Sequence, residues 1–258
     1  MGSLARMSWS ASIVPIHGAG VDAGKFERFV GEVAAHQLRE WLPAAPARIL
    51  DISRASHHLL RPMLDGGHTV IHVDHRLRRP DIARQPDSGS LAIVDADRLT
   101  LDWVADASID AVVAEGGVLS EALATELTIE ALARVIRPGG QLLVGVDSLV
   151  AGLGRLADAG RWAELADVPA ADVVLIPESG GRVSRCFWPE ELQGMLSIVG
   201  FAVEWIRPRT VLTEDTVTRA LQQNPSQLET LVATEIALEM QRQGESVGRQ
   251  LVASARRL

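Results

Sequence analysis

Residues Arg48–Leu60 read RILDISRASHHLL. The apolar run in Arg48–Ile52 reads as a buried strand that reaches a carboxylate, Asp51, near its end. In an open α/β sheet, ligands bind outside the carboxyl ends of the strands, and a nucleotide-binding chain places its glycines directly after the first of them. Here those positions read SRASH, without a glycine. The strand predicts a cofactor framework, and the loop after it departs from one.

Working outward, Lys25–Leu42 puts Phe26, Phe29, Val30, Val33, Leu38 and Trp41 on one helical face, stopped by Pro43 and Pro46. After the strand, Leu59–Leu64 reads as helical, with Pro62 expected to delay the helix start to near Arg61. Further strands follow at His68–Asp74, at Leu91–Val94 before Asp95-Ala96-Asp97, and at Ile109–Ala114 before Glu115-Gly116-Gly117. A helix at Thr128–Ile136 and the turn Arg137-Pro138-Gly139-Gly140 lead into a fifth strand, Gln141–Val146. Continuous apolar strands alternating with helices predict a mostly parallel sheet covered on both faces.

The second half is less regular. Leu149–Ala166 reads as helical, but Pro169, Pro177 and Gly180-Gly181 break Val168–Ser184, so residues 149–188 are expected to form a cap-like insertion over the sheet's carboxyl edge. Pro189–Val199 is a helix and Phe201–Ile206 a strand. The amphipathic helix Leu228–Met240 would pack on the sheet or serve a homodimer, and Val247–Ala255 closes the sheet in either direction. A single domain over 1–258 with a flexible leader, 1–24, is expected.

Composition narrows the partners. A net charge of −8 argues against a nucleic-acid groove or an anionic membrane surface, and the basic run Arg76–Arg79 reads as a solvated loop. One cysteine, Cys186, leaves no internal disulfide or multi-cysteine metal site, which fits a cytoplasmic setting. No apolar run reaches the roughly 18–20 residues of a membrane span, and the N-terminal stretch is too polar for a signal peptide. The histidines, among them His57-His58, His68, His72 and His75, read as satisfied polar groups or loop residues, so no metal is expected. His17 in the leader is a candidate base against the plainer reading of an unstructured arm, and Asp147 reads equally as a helix cap or a chemical group.

The series ILDIS, HTVIHVD, LAIVDAD, IDAVVAEGGVLSEAL and LARVIRPGGQLLVGV, followed by FWPEELQGMLSIVGFAVEWI, resembles the class I S-adenosylmethionine-dependent methyltransferases. The resemblance runs from about Arg48 to Arg207, with Val247–Ala255 as the family's last, antiparallel strand. It implies a Rossmann-like seven-stranded sheet sandwiched by helices, with the cofactor across the ends of strands one to four. The family's Asp-x-Gly-x-Gly-x-Gly falls on Asp51 with Ser53, Ala55 and His57 at the glycine positions, a degenerate motif.

The resemblance makes Asp74 the ribose-binding acid, followed by His75, and sets Asp95-Ala96 against the adenine. Ser53, Arg54 and Ala55, with Glu115 and Gly116, flank the methionine end. Arg54 would repel a sulfonium but suits a carboxylate. No catalytic residue is identified. Two readings stay open: a methyltransferase acting on a small-molecule acceptor, and a lapsed one that no longer binds S-adenosylmethionine and works through partners or another ligand. A nicotinamide-binding relative fits less well, because its pyrophosphate needs the same missing glycines.

Overall fold

The computed structural model describes residues 23–44, 46–54, 57–74, 89–171, 173–177 and 181–258. The elements run α1 (Ala23–Trp41), β1 (Arg48–Asp51), α2 (His57–Asp65), β2 (Thr69–Val73), β3 (Ser90–Val94), β4 (Ile109–Ala114), α3 (Val118–Glu121), α4 (Thr125–Val135), β5 (Ile136–Ser148), α5 (Leu149–Asp158), α6 (Trp162–Asp167), β6 (Val174–Pro177), β7 (Val183–Phe187), α7 (Pro189–Ile198), β8 (Phe201–Arg209), α8 (Glu214–Gln223), α9 (Leu228–Gln241) and β9 (Gln250–Arg257). Residues 1–22 of the expected leader fall outside the described residues, while its last two, Ala23 and Gly24, open α1; Ala55 and residues 75–88 also fall outside. No helix among the described residues is long and apolar enough to cross a membrane.

β3, β2, β1, β4 and β5 lie side by side and parallel, with β1 between β2 and β4, so the strand order reverses at β1. β9 is antiparallel to β5 and β8, which settles the direction that the sequence left open. These seven strands are the expected sheet. Two more come from the insertion: β6 and β7 form a hairpin, and β7 joins β5 in parallel at Asp147 and Ser148. Asp147 pairs with Gln250 of β9 on one flank and with Cys186 of β7 on the other. The hairpin therefore occupies the flank that β4 leaves at Val144, beyond the carboxyl end of β4.

Alternation along the strands divides the core into two layers. Leu50, Val112, Val144 and Val146 pack with α3, α4 and α7 on one face, while Ile49, Ala111, Val113 and Leu143 pack with α1 and α2 on the other. α2 starts at His57, not near Arg61, with Pro62 inside it. The proline lacks the N–H for the carbonyl four residues back and its ring crowds that carbonyl, a cost of about 3 kcal/mol. Burying Leu59, Leu60, Met63 and Leu64 outweighs it, at roughly 1.5–3 kcal/mol per side chain.

α9 also differs from its apolar pattern. Leu228, Leu231, Val232 and Ile236 reach the cluster of Phe26, Phe29, Val33, Val217 and Leu221 only in part, and Met240 is exposed. The buried residues of α9 are Glu235 and Glu239. Their partners lie at the end of β8 and on α1, and they lead to the site.

Candidate functional site

The switch point at β1 sets five of the sequence-derived residues at one tip of the sheet. Asp51 is fully buried; its Oδ1 accepts the Ser53 N–H at 3.0 Å and its Oδ2 lies 2.8 Å from His72 Nδ1 on β2. It pins the turn after β1 to the neighbouring strand.

The next residues do not leave the sheet as a glycine loop would. Ile52 N–H donates to Val113 O at 3.0 Å and Arg54 N–H to Glu115 O at 3.1 Å, so the β1–β4 ladder runs on past Asp51. The buried Ser53 hydroxyl adds two bonds, donating to Val113 O at 3.4 Å and accepting Glu115 N–H at 3.0 Å. The close approach that glycines would give after β1 comes instead from β4. Gly116 has φ 74°, and a Cβ there would stand 2.6 Å from Arg54 O.

Glu115 turns away from this tip into the interior. Its carboxylate passes Gly145 of β5, where a Cβ would collide with it, and takes both Arg209 Nη atoms at 2.7 and 2.9 Å. Arg209 Nε donates to Gln37 Oε1 at 2.7 Å, and Gln37 Nε2 donates to Glu239. Glu235 accepts the N–H groups of Val211 and Leu212 at 2.7 and 2.9 Å, which ties α9 to the end of β8. Burial, opposed by Arg209 and reinforced by Glu235, pushes Glu239 up to about 8. Burial alone would lower Arg209, but Glu115, with Glu239 and Glu235 behind it, more than offsets this and holds the guanidinium above its ordinary value. The Glu115 side chain is thus held in a buried pair, while its backbone bonds Ser53 and Arg54.

The β2 and β3 tips carry the second group. Asp74 N–H donates to Val94 O at 3.0 Å, setting half-buried Asp74 beside Asp95, which is exposed, and half-buried Ala96. His75 and Ala55 lie outside the described residues. Arg98 crosses the tips: Nη1 donates to Ser53 O at 3.3 Å and Ile52 O at 3.5 Å, and Nη2 donates to Val73 O at 3.4 Å. Asp97 closes the same turn, its Oδ1 accepting Leu99 N–H at 2.7 Å.

A third group faces the hairpin. Arg54 pairs with Glu121 at the end of α3, which also accepts from Arg182 at 3.3 Å, at the foot of β7. Asp147 is not a helix cap: it accepts from Ser184 Oγ at 2.6 Å and from both Nη atoms of Arg155 at 3.2 Å. Arg155 also reaches the buried Cys186 thiol at 3.0 Å. His68 takes the Ala47 N–H, and among the described residues no group of three or more His, Cys, Asp or Glu side chains forms a metal cluster.

Arg98, Glu121, Arg182, Arg209 and Gln37 were not foreseen in the sequence. Arg209 left no signal of its own, because its strand also carries Glu204 and Arg207. Glu235 and Glu239 left one, an i, i+4 acid pair within the apolar stripe of α9.

No protein-family profile and no curated protein sequence is recognisably similar to this chain. Solved structures are. A putative S-adenosylmethionine-dependent methyltransferase from Listeria monocytogenes superposes with TM-score 0.60 at 12% identity, over 90% of this chain and 99% of that one. An S-adenosylmethionine-dependent methyltransferase from Mesorhizobium loti gives 0.57 at 16%, over 89% and 100%. The 1,6-didemethyltoxoflavin-N1-methyltransferase from Burkholderia thailandensis, solved with 1,6-didemethyltoxoflavin and S-adenosylhomocysteine, gives 0.51 at 17%, over 91% and 78%. At these identities the likeness is one of fold: the chain has the class I methyltransferase architecture, extended by the β6–β7 hairpin.

Proposed function

We propose that this chain binds S-adenosylmethionine and methylates a small-molecule acceptor. The observation that carries the reading is the pair of carboxylates, Asp74 and Asp95, on adjacent strand tips beside the point where strand order reverses. In this reading Asp74 takes the ribose hydroxyls, and Asp95 with Ala96 meets the adenine edge. Residues 149–188, whose hairpin lies beyond the end of β4, cover the acceptor and keep water out. S-adenosylmethionine would supply the electrophilic methyl group, and the chain need only align donor and acceptor. The toxoflavin-precursor enzyme with its small acceptor and S-adenosylhomocysteine supports the choice of substrate class. The acidic chain favours a metabolite over a nucleic acid, and the single cysteine fits a cytoplasmic setting.

The fit is uneven. Asp74 suits an adenosine ribose, whereas at the methionine end Ser53 and Arg54 are already bonded to Glu115. That second observation favours the alternative, a lapsed methyltransferase acting through partners. Thermal unfolding separates the two. A ligand at a hundredfold its Kd adds about 2.7 kcal/mol, or roughly 5–10 °C. S-adenosylhomocysteine should raise the midpoint of the wild type and not of Asp74→Ala. No shift at millimolar ligand would leave the lapsed reading standing.

A further inference from the structure

An arginine after the first strand is an odd choice for a site meant to hold a sulfonium. Arg54 also stands among cations. Arg98 is fixed across the β1 and β2 tips by three backbone carbonyls, and Arg182 approaches from the hairpin. Burial, then Arg182 and Arg98, push the Arg54 guanidinium below its ordinary value, with Asp147 opposing. Such a group calls for an anion, and the structure supplies one from within: Glu121, the last residue of α3, pairs with Arg54.

Glu121 is shared. Arg182 Nη1 lies 3.3 Å from the same carboxylate, so Glu121 keeps a cationic partner if Arg54 lets go. The two pairs differ in what they join. Arg54–Glu121 ties the loop after β1 to α3, across the place where the amino-acid end of an adenosyl ligand would lie. Arg182–Glu121 ties α3 to the foot of β7. Both arginines and Glu121 are at least a third exposed, with side-chain exposures of 36% for Arg54, 54% for Arg182 and 34% for Glu121, so an incoming anion reaches them without unfolding.

We propose that Arg54 is the binding group for a ligand carboxylate, the amino-acid end of an adenosyl ligand, and that Glu121 holds its place in the free protein. On binding, the ligand's carboxylate replaces Glu121 on Arg54 and Glu121 withdraws to Arg182. The contact is an internal competitor. It makes affinity depend on the carboxylate, where a glycine loop would depend on backbone approach. This inference rests on the adenosyl-ligand reading above and adds to it how the rebuilt end is recognised.

Two probes isolate the carboxylate. S-adenosylhomocysteine carries it, and 5′-methylthioadenosine has the same nucleoside and sulfur without the amino acid. Calorimetric titration of both into the full chain and its variants gives opposite expectations. Glu121→Gln removes the competitor and should tighten S-adenosylhomocysteine roughly three- to tenfold, leaving methylthioadenosine unchanged. Arg182→Ala removes the withdrawal partner, so Glu121 holds Arg54 harder and S-adenosylhomocysteine weakens. Arg54→Gln should bring S-adenosylhomocysteine to within about twofold of methylthioadenosine. If both nucleosides bind but respond equally to Glu121→Gln, or if Arg54→Gln keeps the preference, the exchange is wrong and the adenosyl reading stands. If neither binds any variant, both fall together.

Discussion

Replacing Arg209 by methionine removes a guanidinium that both Glu115 Oε atoms accept from, at 2.7 and 2.9 Å. Both side chains are almost wholly enclosed, at 2% and 4% exposure, so water cannot take the arginine's place. Breaking a buried pair from one side costs about 3–5 kcal/mol, because the remaining charge is left desolvated. Gln37 also loses the Nε–H that its Oε1 accepts. At roughly 2–4 °C per kcal/mol for a chain of this size, Arg209→Met should lower the midpoint by about 6–20 °C. Urea unfolding of the single variants and of Glu115→Gln/Arg209→Met measures the pair. The double variant should recover at least half of the Arg209→Met loss, since the main cost is an orphaned carboxylate and not a missing attraction. A single variant within about 1 kcal/mol of wild type, or a double equal to the sum of the singles, would refute the reasoning.

Two further outcomes are expected. Glu239 sits among Arg209, Glu235, Gln37 and Arg207, and its pKa is raised from 4.5 to about 8, so between these values the folded state holds a proton that the unfolded state has lost. Stability should therefore fall as pH rises through that window, by up to about 1.4 kcal/mol per unit from this group, and level off above it. Glu239→Gln should lose roughly 2 kcal/mol less between pH 5.5 and 7.5, measured by urea unfolding at each pH; equal slopes would contradict the assignment. Gly116→Ala meets both a φ of 74° and Arg54 O at 2.6 Å, whereas Gly139→Ala meets a φ of 78° and nothing within 4 Å. The first should cost about 2–3 kcal/mol and the second about 1 kcal/mol in thermal unfolding, and equal costs would mean that the loop after β1 yields freely.

The sheet was legible because its strands are written as apolar runs with acids or glycines at their ends. Ile109–Ala114 matches β4 residue for residue, and β1, β2 and β3 begin or end within a residue of their expected limits. What escaped the sequence was decided by contacts distant along the chain. Pro62 reads locally as a breaker, yet four buried side chains keep it inside α2. Val168–Ser184 reads as irregular because β6 has four residues and ends on Pro177, and β7 has only five; their pairing is a property of the fold, not of either segment. The acids at the strand tips were visible, since a position at a strand end is fixed by local sequence. The direction in which Glu115 points was not, because it depends on Arg209, ninety-four residues further on. Nor was Glu121 opposite Arg54, which needed the hairpin and α3 in place.

The adenosyl site proposed on the tips of β2 and β3 stands or falls on isothermal titration of S-adenosylhomocysteine into the purified chain, with Asp74→Ala alongside. A single micromolar site that Asp74→Ala abolishes is expected. No heat at millimolar ligand, or binding that survives Asp74→Ala unchanged, would rule the site out.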